Sequence, residues 1–173
     1  MKYLLLALAL NICLSITLQE AYDNATSYNQ YDKYVILEPN QIYTGGLGIY
    51  EGDIYINCQG SVIDLQNQNG IWIYADENYS AKLEIEYCNI INGAYYGLSY
   101  SGSSIGRITN CNFYNNNIGI KPFDYSELHI ENCNFVDNIT YGLGIISEHP
   151  VVTINYSNSW GCENGDYWEN CPG

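Results

Sequence analysis

The sequence has few basic residues: its five lysines and arginines stand against 19 aspartates and glutamates, which gives a net charge of −14 at pH 7. Arg107 is the single arginine. Nucleic-acid binding requires clustered lysine and arginine to neutralise phosphates, so this composition argues against nucleic acid as a partner. Anionic membrane surfaces are disfavoured for the same reason. Polyanionic polysaccharides would also be repelled unless a cation bridged them.

The sequence also lacks an apolar run long enough to span a bilayer. The runs Leu4–Leu10 and Ile12–Leu18 are separated by Asn11, and a membrane-spanning helix needs about 20 apolar residues. We therefore predict no membrane insertion. Preceded by Lys2, the apolar stretch instead predicts a secretory signal over residues 1–20.

The predicted signal is cleaved between Ser15 and Ala21, and the mature protein is secreted or held at the cell surface. A lipid anchor through Cys13 is a weaker alternative, because the residues around Cys13 fit a lipobox poorly. Removing the signal leaves six of the seven cysteines, and an even number in an exported chain permits disulfides.

An internal repeat dominates the rest of the chain. Segments 83–92, 106–115 and 128–137 align with one another, and 152–160 is a degenerate fourth copy. The most regular column of the alignment is asparagine, with spacings of 23, 22 and 24 residues: Asn89, Asn112, Asn134 and Asn158. An earlier copy places Gly60 in this column. Asparagine and glycine both tolerate the left-handed backbone conformation, so the column predicts a bend between strands.

A second repeated feature is a glycine followed by an alternating apolar strand, at spacings of 22, 27, 22 and 23 residues. It occurs at Gly48, Gly70, Gly97, Gly119 and Gly142. Alternation with a period of two indicates strands with one buried face. A leucine-rich repeat fits the period but needs a helix or apolar arc after the strand. Here that stretch is rich in glycine and tyrosine and contains a second strand.

The prediction is an all-β, right-handed parallel β-helix of about five to six coils, in which equivalent residues stack about 4.8 Å apart. The asparagine side chains of the repeat can then form a hydrogen-bonded ladder, and Ile85, Ile108, Ile130 and Ile154 an apolar column. The β-helix is predicted to cover residues 34–161, with an N-terminal segment or cap over 21–33 and a capping loop over 162–173. Cys88, Cys111 and Cys133 then form a buried thiol stack or contain one inter-coil disulfide. Their spacing lacks the close cysteine pair of a zinc site. For the C-terminal end we predict a Cys162–Cys171 disulfide.

The repeat resembles those of the pectin-lyase-like superfamily, notably bacterial secreted β-helix proteins. The likeness rests on the Asn-Cys-Asn-Phe cores at 110–113 and 132–135 and on the Gly-Ile or Gly-Leu strands that follow them. For lyases the resemblance implies a catalytic Arg or Lys with Ca²⁺-binding aspartates, and for hydrolases three aspartates with a nearby His and Arg. Neither set is present in this sequence.

The best catalytic candidates lie on the outward face of the first repeated strand. Alternation stacks Glu84, Arg107 and His129 in one column, with Glu131 in the next. A histidine near carboxylates and an arginine is suited to proton abstraction from a uronic acid. The alternative is a solvated surface on which Arg107 bridges Glu84 and Glu131.

Asp64, Asn92, Asn115 and Asp137 form a further column. Oxygen ligands suit Ca²⁺, so Asp64 and Asp137 are weak candidates for a metal site, but Asp and Asn are equally expected as turn formers. No cofactor is otherwise predicted.

Aromatic residues provide the remaining functional hint. Tyr50 and Trp72 occupy one outward column, with Tyr55 and Tyr74 outward on nearby strands. Exposed rings can bind the apolar face of a sugar, although tyrosine is also a common half-buried strand residue. We predict a secreted or cell-surface β-helix protein, non-catalytic, with an adhesin-like or carbohydrate-binding role and a polysaccharide or surface glycan as its partner. The alternative is a divergent lyase or epimerase acting on uronate-containing glycans.

Overall fold

The computed structural model describes residues 16–168 and 171–172. Within these ranges short strands follow one another with a single short helix near the start. In chain order the elements are β1 Ile16–Thr17, α1 Leu18–Asn24, β2 Lys33–Ile36, β3 Ile42–Thr44, β4 Leu47–Ile49, β5 Gly52–Asn57, β6 Val62–Asp64, β7 Ile71–Ala75, β8 Ala81–Glu86, β9 Asn89–Ile91, β10 Leu98–Gly102, β11 Ile105–Thr109, β12 Asn112–Tyr114, β13 Ile118–Pro122, β14 Glu127–Glu131, β15 Asn134–Val136, β16 Tyr141–Leu143, β17 Val151–Asn155 and β18 Asn158–Trp160.

These strands form three parallel sheets, and successive coils add one strand to each. The seven-stranded sheet has the order β1-β3-β6-β9-β12-β15-β18, the six-stranded sheet β17-β14-β11-β8-β5-β2, and the five-stranded sheet β16-β13-β10-β7-β4. The stack has about six turns. The predicted parallel β-helix is confirmed, and the leucine-rich repeat is ruled out because strands occupy the stretch where that repeat needs a helix or arc.

The core is built from aliphatic columns that the repeat predicted. Ile108 lies opposite Ile85 on one side and Ile130 on the other, in continuous register. All three side chains are buried. Full burial of such a side chain contributes about 1.5–3 kcal/mol, so the column stabilises each coil mainly through its two neighbours.

The asparagine column forms the predicted ladder on the outside of the seven-stranded sheet. Asn112 Nδ2 donates to Asn89 Oδ1 at 2.8 Å, and Asn134 Nδ2 donates to Asn112 Oδ1 at 2.9 Å. The predicted bend at this column is wrong, since these asparagines begin strands. The left-handed residues lie two positions earlier, as at Asn110 and Asn132, with φ of 55° and 53°.

A second amide ladder, which was not expected from the sequence, runs inside the solenoid. Asn116 and Asn138 are fully buried, and Asn116 Nδ2 donates to Asn138 Oδ1 at 3.2 Å and to Ile90 O at 3.0 Å. Asn138 Oδ1 also accepts from the Asn116 backbone N–H at 3.1 Å. The signal for this ladder is the repeated Phe-x-x-Asn, in which Phe113 and Phe135 stack at 5.2 Å.

The N-terminal end is capped by β1 and α1. Ile16 pairs with Tyr43 in the seven-stranded sheet, Leu18 is fully buried, and a reciprocal capping box joins Thr17 and Glu20. The predicted signal boundary at residue 20 therefore falls inside α1. In the part of the chain that the structure describes, no helix has the length and apolar character needed to cross a bilayer.

At the other end, the residues after β18 fold back over the five-stranded sheet. The backbone N–H of Gly142 donates to Asp166 O at 3.0 Å, and the Tyr141 and Trp168 rings meet at 4.7 Å. The structure does not contain the predicted Cys162–Cys171 disulfide, since both cysteines are free in it. Cys171 Sγ instead donates to Leu143 O at 3.2 Å, which holds it against β16.

Candidate functional site

Three of the four predicted sugar-binding aromatics come together on the five-stranded sheet. The Tyr50 and Trp72 rings meet edge to face with centroids 5.6 Å apart, and Tyr74 lies 6.0 Å from Trp72. Tyr50 is 55% exposed and Tyr74 36% exposed. We call these three residues the aromatic platform. Its exposed rings offer an apolar surface of the kind that packs against a sugar ring.

Strand register explains how Tyr50 reaches Trp72. The predicted glycine column placed Gly48 level with Gly70, but in the structure Gly48 lies opposite Trp72. Continuing this register by one residue places Gly46 level with Gly70. Tyr50 therefore lies two residues beyond Gly48, the residue opposite Trp72, and on the same face of the sheet. The prediction that Tyr50 and Trp72 share one column is wrong.

The half-buried Trp72 is fixed by a polar contact. Its Nε1 donates to the hydroxyl of buried Ser101 at 2.8 Å. Ser101 lies in β10, the next strand of the sheet, opposite Tyr74. The contact satisfies the indole N–H and sets the ring orientation, so that the platform is pre-organised.

The platform borders a groove of about 480 Å³. Side chains from three separate parts of the chain line it beside Tyr50 and Trp72: Gln19 of α1, Gln68 and Asn69 before β7, and Tyr96 before β10. None of its lining side chains carries a charge. Amide and phenol groups supply the donors and acceptors that sugar hydroxyls need. These residues were not predicted from the sequence because no periodicity links them and because Gln19 lies within the predicted signal.

A second groove of about 370 Å³ adjoins the first on the other side of Tyr50. Tyr22, Glu51 and Tyr79 line it, and Gly48 and Tyr50 belong to both grooves. The Tyr50 ring thus lies between two adjacent grooves.

Tyr55, the fourth predicted aromatic, lies elsewhere. It projects from β5 on the six-stranded sheet, where it stacks on Tyr34 with centroids 4.8 Å apart and Tyr31 lies 5.2 Å away. Its hydroxyl donates to Glu86, which also accepts from Asn57 Nδ2 at 2.8 Å. Burial, followed by the hydrogen bond to Glu86, raises the pKa of Tyr55 well above its ordinary value. Tyr55 is therefore not part of the aromatic platform.

The predicted catalytic column is present on the six-stranded sheet. Arg107 lies opposite Glu84 on one side and His129 on the other. Arg107 is exposed, and among the described residues no side chain forms an ion pair or hydrogen bond with it. The predicted bridge from Arg107 to Glu84 and Glu131 is therefore wrong; Glu131 Oε2 instead lies 3.7 Å from His129 Nε2.

The surface around Arg107 is open on both sides. One groove of about 570 Å³ is lined by Glu86, Glu131 and Tyr156 among others, and one of about 230 Å³ by Tyr55 and Glu84. His129 Nδ1 lies 2.7 Å from Thr153 Oγ1, and the side chain of His129 is 45% exposed. Arg107 and His129 are thus open to solvent, although exclusion of water strengthens acid–base and electrostatic catalysis.

The predicted metal column is used for turns and amide hydrogen bonds. Asn92, Asn115 and Asp137 have left-handed backbone, with φ of 60°, 53° and 49°. Asn115 Nδ2 donates to Asn92 Oδ1 at 2.8 Å, and Asn92 Nδ2 donates to Asp64 Oδ1 at 2.9 Å. In residues 16–168 and 171–172, no three His, Cys, Asp or Glu residues cluster as a metal site.

Comparison with known proteins agrees with this architecture. Residues 17–171 match the family model described as the right-handed beta helix region. Because the match covers most of the chain, the protein belongs to the right-handed β-helix family. No curated protein and no solved structure matches the sequence.

Proposed function

We propose that this protein is an exported, non-catalytic β-helix protein that binds a neutral carbohydrate at the aromatic platform. The observation that carries the proposal is the meeting of Tyr50, Trp72 and Tyr74 beside a groove with uncharged amide and phenol side chains. Ring faces pack against the apolar faces of sugars, while amides bond to hydroxyl groups. The net charge of −14 disfavours uronate polymers and favours neutral glycans.

Export is proposed from the apolar N-terminal stretch and from a buried disulfide between Cys58 and Cys88. Disulfides of this kind persist in oxidising compartments.

The N-terminal cap limits where the signal can be cleaved. A cut after Leu18 would remove both β1 and a fully buried side chain, so we place cleavage before Ile16. Cys13 and Ser15 then provide the small residues that signal peptidases favour.

Binding of the exported protein to immobilised neutral and acidic polysaccharides tests the carbohydrate proposal. Trp72→Ala should reduce binding of a neutral glycan at least tenfold, because an aromatic anchor of a sugar site is lost. The matched control is Tyr114→Ala, which removes a 48% exposed ring from the seven-stranded sheet. Equal binding by the Trp72→Ala variant and the unaltered chain would contradict the proposal.

A second candidate function is that of a lyase or epimerase acting on uronate-containing glycans. One observation favours it: no described side chain forms an ion pair or hydrogen bond with Arg107, which lies one coil from His129. A guanidinium of this kind can neutralise a substrate carboxylate beside a histidine base. Release of unsaturated uronate products by the unaltered protein, abolished in Arg107→Ala, would establish this function over the non-catalytic one.

A further inference from the structure

Four cysteines form a column inside the solenoid, at the corner between the six-stranded and seven-stranded sheets. Cys58, Cys88, Cys111 and Cys133 belong to successive coils, and each is 0% or 1% exposed. Cys58 and Cys88 form a disulfide with Cα atoms 4.9 Å apart. Cys111 and Cys133 have free thiols in the structure.

The backbone around Cys111 and Cys133 is the same in both coils. On one side Thr109 lies opposite Glu131, and on the other Asn112 lies opposite Asn134. The residues preceding the two cysteines are left-handed asparagines with φ of 55° and 53°. The backbone N–H of Asn134 donates to Cys111 O at 2.9 Å. The two cysteines are thus held one coil spacing apart, about 4.8 Å, which lies within the 4.4–6.8 Å range of disulfide Cα separations.

The pKa values of the two thiols depend on each other. Burial raises the pKa of Cys111, and hydrogen bonding with Cys133 raises it further, while the same hydrogen bond lowers the pKa of Cys133. Each sulfur also lies within hydrogen-bonding distance of a backbone carbonyl, Cys111 Sγ 3.2 Å from Thr109 O and Cys133 Sγ 3.3 Å from Glu131 O. Both side chains therefore already point into the same small space between the sheets.

We propose that Cys111 and Cys133 form a second inter-coil disulfide in the exported protein. The reaction is thiol–disulfide exchange with the disulfide of an exported oxidoreductase or of a small molecule. The two thiols lose two protons and two electrons in forming the sulfur–sulfur bond, and the oxidant's disulfide is reduced to two thiols. Since neither cysteine is exposed in the folded chain, the exchange takes place before the neighbouring coils close over them. Successive coil pairs are then joined covalently at one corner of the solenoid.

This inference rests on the export part of the proposed function, and peptide mapping tests the two separately. The full chain is passed through a secretory host, its free thiols are alkylated without reduction, and it is digested with trypsin and a glutamate-specific protease. These cuts put each of the six cysteines on its own peptide. The expected result is one cross-link between peptides 52–77 and 87–107 and another between 108–127 and 132–148.

Alkylated Cys111 and Cys133 alongside an intact Cys58–Cys88 cross-link would overturn the second disulfide and leave export standing. A cross-link between Cys88 and Cys111 would overturn it as well. Absence of every cross-link from the secreted chain would overturn both this proposal and the disulfide argument for export.

Thermal unfolding gives a second measurement. The variant with both Cys111→Ser and Cys133→Ser should have a Tm roughly 5–15 °C below that of the unaltered oxidised chain, because it loses the constraint on a long loop. Serine is a suitable replacement because the next coil already has a serine in this column. The hydroxyl oxygen of that residue, Ser157, accepts from the backbone N–H of Cys133 at 3.1 Å. The control is Cys162→Ser with Cys171→Ser, which leaves the column intact. If that control lowers Tm as much as the paired column variant does, the proposal fails.

Discussion

The ring of Tyr50 occupies the space that a side chain at Gly48 would fill. A Cβ atom built on Gly48 would lie 3.0 Å from both Cε2 and the hydroxyl oxygen of Tyr50. Because Gly48 lies opposite Trp72 across the β4–β7 pairing, the missing side chain allows the Tyr50 ring to lean over the strand towards the indole. A residue with no side chain thereby shapes the aromatic platform.

Gly48→Ala should displace the Tyr50 ring and weaken binding of a neutral glycan severalfold. The contacted atoms are the far end of a side chain that can rotate into solvent, so we expect the free energy of unfolding to change by less than about 0.5 kcal/mol. Glycan binding and chemical denaturation measure the two effects. Tyr50→Phe keeps the ring and serves as the control, with binding close to that of the unaltered chain. Undiminished binding in Gly48→Ala would show that the position of Tyr50 does not matter.

The buried amide ladder should matter more to stability than the exposed one. Asn138→Leu removes the oxygen that accepts from the backbone N–H and the Nδ2 of Asn116. Leaving buried donors without an acceptor costs about 1–3 kcal/mol. Asn134→Ala, in the exposed ladder, should cost no more than about 1 kcal/mol because water replaces the lost partner. Urea denaturation of both variants makes the comparison, and equal losses would contradict it.

The N-terminal cap should be required for full stability. A chain that begins at Tyr22 lacks the strand pairing of β1 and the burial of Leu18. Burial of one leucine alone contributes about 1.5–3 kcal/mol, so this chain should melt several degrees below one that begins at Ile16. As a milder comparison, Thr17→Ala in the longer chain removes only the capping box and should cost about 1 kcal/mol. Identical Tm values for the two lengths would mean that the cap is dispensable.

Alkaline pH should destabilise the protein through its tyrosines. Burial, followed by the hydrogen bond to Glu86, raises the pKa of Tyr55, and burial also raises the pKa values of Tyr96 and Tyr100. Their folded-state pKa values lie above the unfolded value of about 10, so the folded chain holds these protons more tightly. The stabilisation is complete below pH about 10 and is lost as pH rises through the folded-state values.

Denaturation between pH 8 and 11 measures this loss. The unfolding free energy should fall less steeply in Tyr55→Phe than in the unaltered chain, whereas Tyr114→Phe, which alters an exposed ring, should follow the unaltered profile. Phenol absorbance should show Tyr55 ionising together with unfolding. A fall that is as steep in Tyr55→Phe as in the unaltered chain would mean that Tyr55 makes no contribution.

The repeat alone determined the fold, the inward columns and the outward asparagine ladder. In a solenoid with one coil per layer, residues at equal positions of successive copies must stack. Constant spacing therefore placed Ile108 between Ile85 and Ile130. The same logic put Arg107 next to Glu84 and His129. The prediction of stacking failed where the copies differ in length. The loop between β5 and β6 is longer than the loop between β8 and β9, so that Val62 lies level with Asn89 in place of the predicted Gly60.

Only the tertiary structure decided which outward residues meet. Alternation distinguishes inside from outside but does not say on which of the three sheets an outward side chain lies. Tyr55 and Trp72 therefore looked equivalent in the sequence, yet they lie on different sheets. The groove residue Gln19 and the Cys58–Cys88 pairing likewise depend on how the cap and the unequal coils pack. Stacking follows from local periodicity, whereas contacts around the circumference depend on bend geometry and loop length, which the repeat does not encode.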